Sequence, residues 1–130
     1  MQNEPKVIGV GGVFFKSANP KESRAWYETH LGFVINEHGA TFTSRNADNP
    51  EEMNSLQWSP FSKDTEYFLP SEKEFMVNFR VQHIEALVKK LQEAKVTVLD
   101  DIQSYEGLGK FVHILDAEGN KIELWEQAIS

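Results

Sequence analysis

The stretch Lys110–Gln127, KFVHILDAEGNKIELWEQ, decides how the rest of the chain is read. Phe111 to Leu115 is a short apolar run interrupted only by His113. Asp116 to Asn120 is a turn cluster in which Gly119 and Asn120 tolerate positive φ. Lys121 to Glu126 then resumes the apolar pattern, so the segment is expected to form a β-hairpin. Strand alternation puts Ile122, Leu124 and Glu126 on one face, and Glu123 with Trp125 on the other. Phe111, His113 and Leu115 likewise share a face. A carboxylate flanked by Ile122 and Leu124 demands a reason, because burying an unpaired charge is costly. Either Glu123 looks into a wet concave cavity, or it is an ordinary solvent-facing residue.

The hairpin closes a chain of 130 residues, long enough for one domain or two small fused modules. Hydrophobic residues make up 40% and charged residues 25%, the balance of a soluble globular protein. A formal net charge of −7 disfavours nucleic acid and acidic membranes as partners. With no cysteine there can be no disulfide, thiolate metal site or cysteine nucleophile. The N-terminus lacks an apolar signal core, and no run approaches the roughly 20 apolar residues of a membrane span. A cytoplasmic protein is the expectation.

Upstream, Val7–Phe15 (VIGVGGVFF) reads as a buried strand whose glycines mark a close backbone approach or a bulge. It lacks both the third glycine of a dinucleotide fingerprint and a P-loop lysine. Asn19-Pro-Lys-Glu22 is a helix start, with Asn19 as cap and Pro20 in the first turn, and Gly32 is the stop. Strands are expected over Phe33–Asn36, Ala40–Thr43 and Ser55–Ser59, with a polar loop over Arg45–Asn54. Phe75–Val81 alternates, with Phe75, Val77, Phe79 and Val81 on one face and Met76, Asn78 and Arg80 on the other. Ile84, Leu87, Val88 and Leu91 form a helical stripe, followed by a strand over Val96–Leu99 and a loop over Asp100–Gly109. The order β-α-β-β-β therefore occurs twice, over residues 7–60 and 75–127. Val13–Lys16 matches Val77–Arg80, and Leu56-Gln-Trp58 matches Ile122-Glu-Leu124. Each half alone is marginal in core burial, and sharing a curved sheet remedies that.

Gly12-Val-Phe-Phe, Trp26-Tyr27…Leu31-Gly-Phe33, Phe79-Arg-Val…Ile84…Leu91 and Asp116-Ala-Glu-Gly-Asn-Lys-Ile-Glu-Leu-Trp125 resemble the vicinal oxygen chelate superfamily of glyoxalases, bleomycin-resistance proteins and extradiol dioxygenases. The likeness spans about the whole chain. Trp58-Ser-Pro-Phe…Asp64-Thr…Tyr67-Phe, Pro70-Ser71 and Phe75-Met76 point to its small bacterial glyoxalase-like members. The resemblance implies an α+β fold: two βαβββ modules forming a curled, incompletely closed eight-stranded mixed sheet around a small-molecule cavity. It also implies a homodimer.

In that superfamily a divalent metal is held from the first and fourth strands of each module. The resemblance carries those positions to Gly12, Gln57, Met76 and Glu123. Glycine offers no ligand atom and a thioether is a soft donor, so the standard site is expected to be depleted. Any ion, whether Zn, Ni or Mn, would need a non-standard set of Glu123, Gln57 and His113. His113 and Glu123 could alternatively serve as acid and base. Phe14, Gln57, Met76, Asn78, Trp125 and Tyr105 are the expected ligand-binding residues, with Arg80 near the opening to grip an acidic group. The leading expectation is a metal-depleted small-molecule-binding protein. The alternatives are a lyase or isomerase of the lactoylglutathione lyase type and a drug-sequestering resistance protein.

Overall fold

A computed structural model describes residues 4–129. Its elements run β1 (Lys6–Ser17), α1 (Pro20–Leu31), β2 (Ala40–Asn46), β3 (Asn49–Ser62), β4 (Phe75–Gln82), α2 (Ile84–Glu93), β5 (Gln103–Tyr105), β6 (Gly109–Leu115) and β7 (Lys121–Gln127). All seven strands share one mixed sheet in the order β2-β3-β1-β4-β7-β6-β5. β1 and β4 are antiparallel neighbours at its centre, β3 runs parallel to β1, and β7 runs parallel to β4.

The local chemistry accounts for the helices. Asn19 accepts a hydrogen bond from the Glu22 amide at 3.1 Å, Pro20 opens α1, and Gly32 ends it at φ 72°. α2 is capped from outside, since the Glu126 carboxylate accepts from the Ile84 amide at 2.7 Å. Val81, Ile84, Leu87, Val112, Ile114 and Leu124 form the main core, between α2 and one face of the sheet. Glu123, Trp125, His113 and Phe111 occupy the other face, as strand alternation requires.

That second face is concave. Ser55 on β3 and Gln127 on β7 stand three strands apart, about 14 Å in a flat sheet. Nevertheless the Ser55 amide donates to Gln127 Oε1 at 3.2 Å, so the sheet must curl to bring its halves together. It stays open, with β2 and β5 as its edges.

The expected eight strands are seven. Phe33–Asn36 and Val96–Leu99 supply only the single bridges Ile35–Ala40 and Val98–Ile114, while β5 forms inside the expected loop 100–109. The polar segment 45–54 is not a loop but the tip of a long hairpin. Residues 47–53 there stand in solvent and need no apolar alternation. Pro60 is tolerated in β3 because β2 ends opposite Trp58, leaving no outer partner for the missing amide. Among the described residues, no helix is long and apolar enough to cross a membrane.

Candidate functional site

Six strands contribute one residue each to a single row crossing the concave face. Strand pairing aligns Thr41 with Gln57, Gln57 with Gly12, Gly12 with Asn78, Asn78 with Glu123, and Glu123 with His113. Gly12 interrupts this polar row. A Cβ there would stand 2.8 Å from the Phe14 ring, so the missing side chain makes room for that ring.

On one side of the gap the row is tightly bonded. Glu123 is only 3% exposed, and its Oε1 accepts from Asn78 Nδ2 at 2.7 Å. Its Oε2 accepts from His113 Nε2 at 2.8 Å and from the Tyr67 hydroxyl. Tyr67 Oη also lies 3.1 Å from His113 Nε2. Behind the imidazole, Asp100 Oδ2 lies 2.7 Å from His113 Nδ1, and Asp100 Oδ1 accepts from the His113 amide at 2.8 Å. Asp100 is 39% exposed in its side chain, so the chain of groups runs from solvent to a buried carboxylate.

The environment sets the protonation states. Burial pushes the Glu123 carboxyl up, but hydrogen bonds from His113, Tyr67 and Asn78, with the imidazolium charge, hold it below the usual carboxylate value. Burial likewise disfavours a charged His113, yet the bonds and charges of Glu123 and Asp100 outweigh this and raise its pKa. Burial is the largest cause raising the Tyr67 phenol, with the Glu123 charge next. The cluster therefore keeps Glu123 ionised and Tyr67 a neutral donor, and it favours the charged form of His113.

Glu123 lies on the wall of a cavity of ≈ 870 Å³. Phe14, Phe61, Leu108, Phe111 and Trp125 give it apolar walls, and Gln57, Ser59, Tyr67 and Asn78 add polar groups. Trp125 is fixed by stacking on Phe111 at 5.6 Å and by donating from Nε1 to the Leu108 carbonyl at 2.8 Å.

The structure thus gathers Phe14, Gln57, Asn78, Glu123 and Trp125 at one cavity, with His113 directly behind Glu123. Met76 is not at the wall: it is fully buried with Phe14 and Phe68. The β4 position in the row is Asn78 instead, because the central ladder joins Gly12 to Asn78 across a bulge between Val10 and Gly12. Tyr105 is 52% exposed and packs its ring on Phe111, outside the cavity wall. Arg80 lines a different cavity, which removes the partner expected for a ligand's acidic group. Tyr67 and Asp100 were not among the expected site residues. Tyr67 lies in an aperiodic connector and Asp100 heads a loop, so neither carries a pattern to mark it.

The donor set does not fit a divalent ion as arranged. Both His113 ring nitrogens face carboxylates, leaving no lone pair to offer. Gln57 Oε1 is turned to the Thr41 hydroxyl rather than toward Glu123. Among the described residues, no group of three or more His, Asp or Glu side chains is placed to hold a metal.

A family model described as "Glyoxalase/Bleomycin resistance protein/Dioxygenase superfamily" matches residues 15–124. Similar solved structures include methylmalonyl-CoA epimerase from Mycobacterium tuberculosis, with a TM-score of 0.61 and 18% identity over 94% of this chain and 89% of that one. The Streptomyces coelicolor methylmalonyl-CoA epimerase, in complex with 2-nitronate-propionyl-CoA, gives a TM-score of 0.68 and 15% identity over 95% of this chain and 99% of that one. An Mn(II)-bound glyoxalase from Novosphingobium aromaticivorans gives 0.60 and 15% identity over 95% of this chain, which spans 40% of that one. At such identities the likeness shows the fold. No curated protein matches the chain in sequence.

Proposed function

The chain belongs to the glyoxalase/bleomycin resistance protein/dioxygenase superfamily, and from that premise we propose that it binds a compact, mostly apolar small molecule without the help of a metal. The ligand would present a positive or hydrogen-bond-donating group to Glu123. One observation carries this reading: an ionised carboxylate, 3% exposed, is held by three donors on the wall of an apolar cavity. A carboxylate has about four acceptor sites, so one of them remains for a ligand. An ionised Glu123 only accepts hydrogen bonds, so a cationic or donating group is favoured beside it; Arg24, Glu37 and His38 line the same cavity. The same chemistry suits sequestration of a cationic drug.

Benzylamine, benzyl alcohol and benzoate share one ring and differ in charge, so they test this directly. The amine is expected to raise the melting temperature of the protein, and Glu123→Gln to abolish the rise. Equal stabilisation by benzoate, or a stoichiometric divalent ion in untreated protein that is lost in Glu123→Ala, would sink the reading.

The chain of groups from Asp100 through His113 to Glu123 favours a second reading, a lyase or isomerase of the lactoylglutathione lyase type. Glu123 would be the proton carrier and His113 its partner. A depressed carboxyl pKa makes Glu123 a weak base, which is why binding takes precedence. Turnover of a 2-oxoaldehyde–thiol adduct, lost in Glu123→Gln, would reverse that order. Two further elements belong to the proposal: the division into βαβββ modules at residues 7–60 and 75–127, and homodimerisation. Sedimentation equilibrium tests the latter.

A further inference from the structure

Arg80 takes no part in the Glu123 cavity. It lines a second hollow of ≈ 460 Å³, on the same concave face but toward the far end of β4 and β7. Gln127, bonded to Ser55, borders both.

Arg80 is only 8% exposed, yet its guanidinium is nearly unpartnered. Nη2 makes one long hydrogen bond, 3.5 Å to the Val10 carbonyl, while Nε and Nη1 are buried with no partner. A guanidinium cannot escape by losing its proton, so a site that leaves one like this carries an uncompensated cost. Burial pushes its pKa down, and the nearby charge of Glu52 acts in the opposite sense.

The seat is nevertheless built for it. A Cβ on Gly9 would stand 2.5 Å from Arg80 Nη2, and one on Gly11 would stand 2.8 Å from Arg80 Cγ. Gly9 leaves room for the guanidinium itself, and Gly11 for the Arg80 stem together with Asn78 and Trp125. Glu51, Glu52 and Glu126 line the same hollow. They would repel a dianion such as phosphate, and they would attract an ammonium group.

We propose that this second hollow binds a small zwitterion, its carboxylate paired with the Arg80 guanidinium and its ammonium toward Glu51 and Glu52. The site is independent of the Glu123 reading and stands whether or not that one holds. Nitrogen-15 NMR of arginine-labelled protein tests it, with glycine, 4-aminobutyrate, acetate, methylamine and inorganic phosphate as probes. At least one zwitterion is expected to shift the Arg80 Nε resonance saturably, and at lower concentration than acetate, methylamine or phosphate. Affinity should fall at least tenfold in Arg80→Gln and several-fold in the exposed-site variant Glu52→Gln. Glu123→Gln should leave it unchanged. The proposal is overturned if neither zwitterion moves Arg80, if acetate or phosphate binds as tightly, or if Glu123→Gln abolishes the effect.

Discussion

Removing the Tyr67 hydroxyl leaves Glu123 with two donors in place of three. Tyr67→Phe should therefore cost about 1.5–3 kcal/mol in urea unfolding, the range for a hydrogen bond to a charged group. The same change should let the Glu123 carboxyl pKa rise toward its ordinary value. The ion pair also predicts a pH profile. His113 has a raised pKa when folded, so its contribution is complete below the unfolded value near 6.5 and fades as pH rises through the raised one. Glu123 has a lowered pKa, so its contribution is complete above about 4.5 and fades as pH falls through the lowered one. The stability lost in His113→Asn should accordingly be largest near pH 5.5 and shrink toward pH 9. A difference independent of pH would argue against a charged imidazole.

At the scale of elements, the β6–β7 hairpin, the capped start of α1 and the stripe of α2 were legible because each rests on local chemistry. Glu123 was legible too, as a carboxylate out of place in an apolar strand. Asn78 and Arg80 show the limit of such patterning. Alternation groups both with Met76 on one face of β4 without saying how deeply that face is buried, and the structure puts them at 2% and 8% exposure. An inward-curling sheet hides whatever faces its hollow, and alternation cannot say which side curls. The cap of α2 was illegible for a different reason: its acceptor, Glu126, arrives from 42 residues away. Glu126→Ala should cost about 1 kcal/mol, as loss of an N-cap does, and circular dichroism with urea would measure it. Gly109 sits at φ 124°, where an added Cβ would collide with the Glu126 carbonyl. Gly109→Ala should destabilise by more than about 1 kcal/mol, detectable as a lowered urea midpoint.

Across the whole molecule, the strand-helix-strand opening of each half could be read, but the equivalence of the parts could not. Matching Val13–Lys16 to Val77–Arg80 equates Gly12 with Met76, whereas the parallel ladders set Gly12 beside Gln57 and Asn78 beside Glu123. A bulge shifts registration without leaving a mark in apolar spacing. Tyr67 and Asp100 complete the cluster around Glu123 only after folding, from 56 and 23 residues away in sequence. The two hollows hold separate charged groups with no bond between them, so Arg80→Gln and Glu123→Gln should be additive in stability within about 0.5 kcal/mol. Thermal melts of the double variant would check this.

Asp100 stands outside the larger hollow while touching the imidazole that backs Glu123 on its wall. A bound molecule could stopper the mouth and still not insulate the interior from the acidity of the medium. Protons would arrive through the masonry rather than the door, and titrating a saturated complex should reveal the same histidine responding.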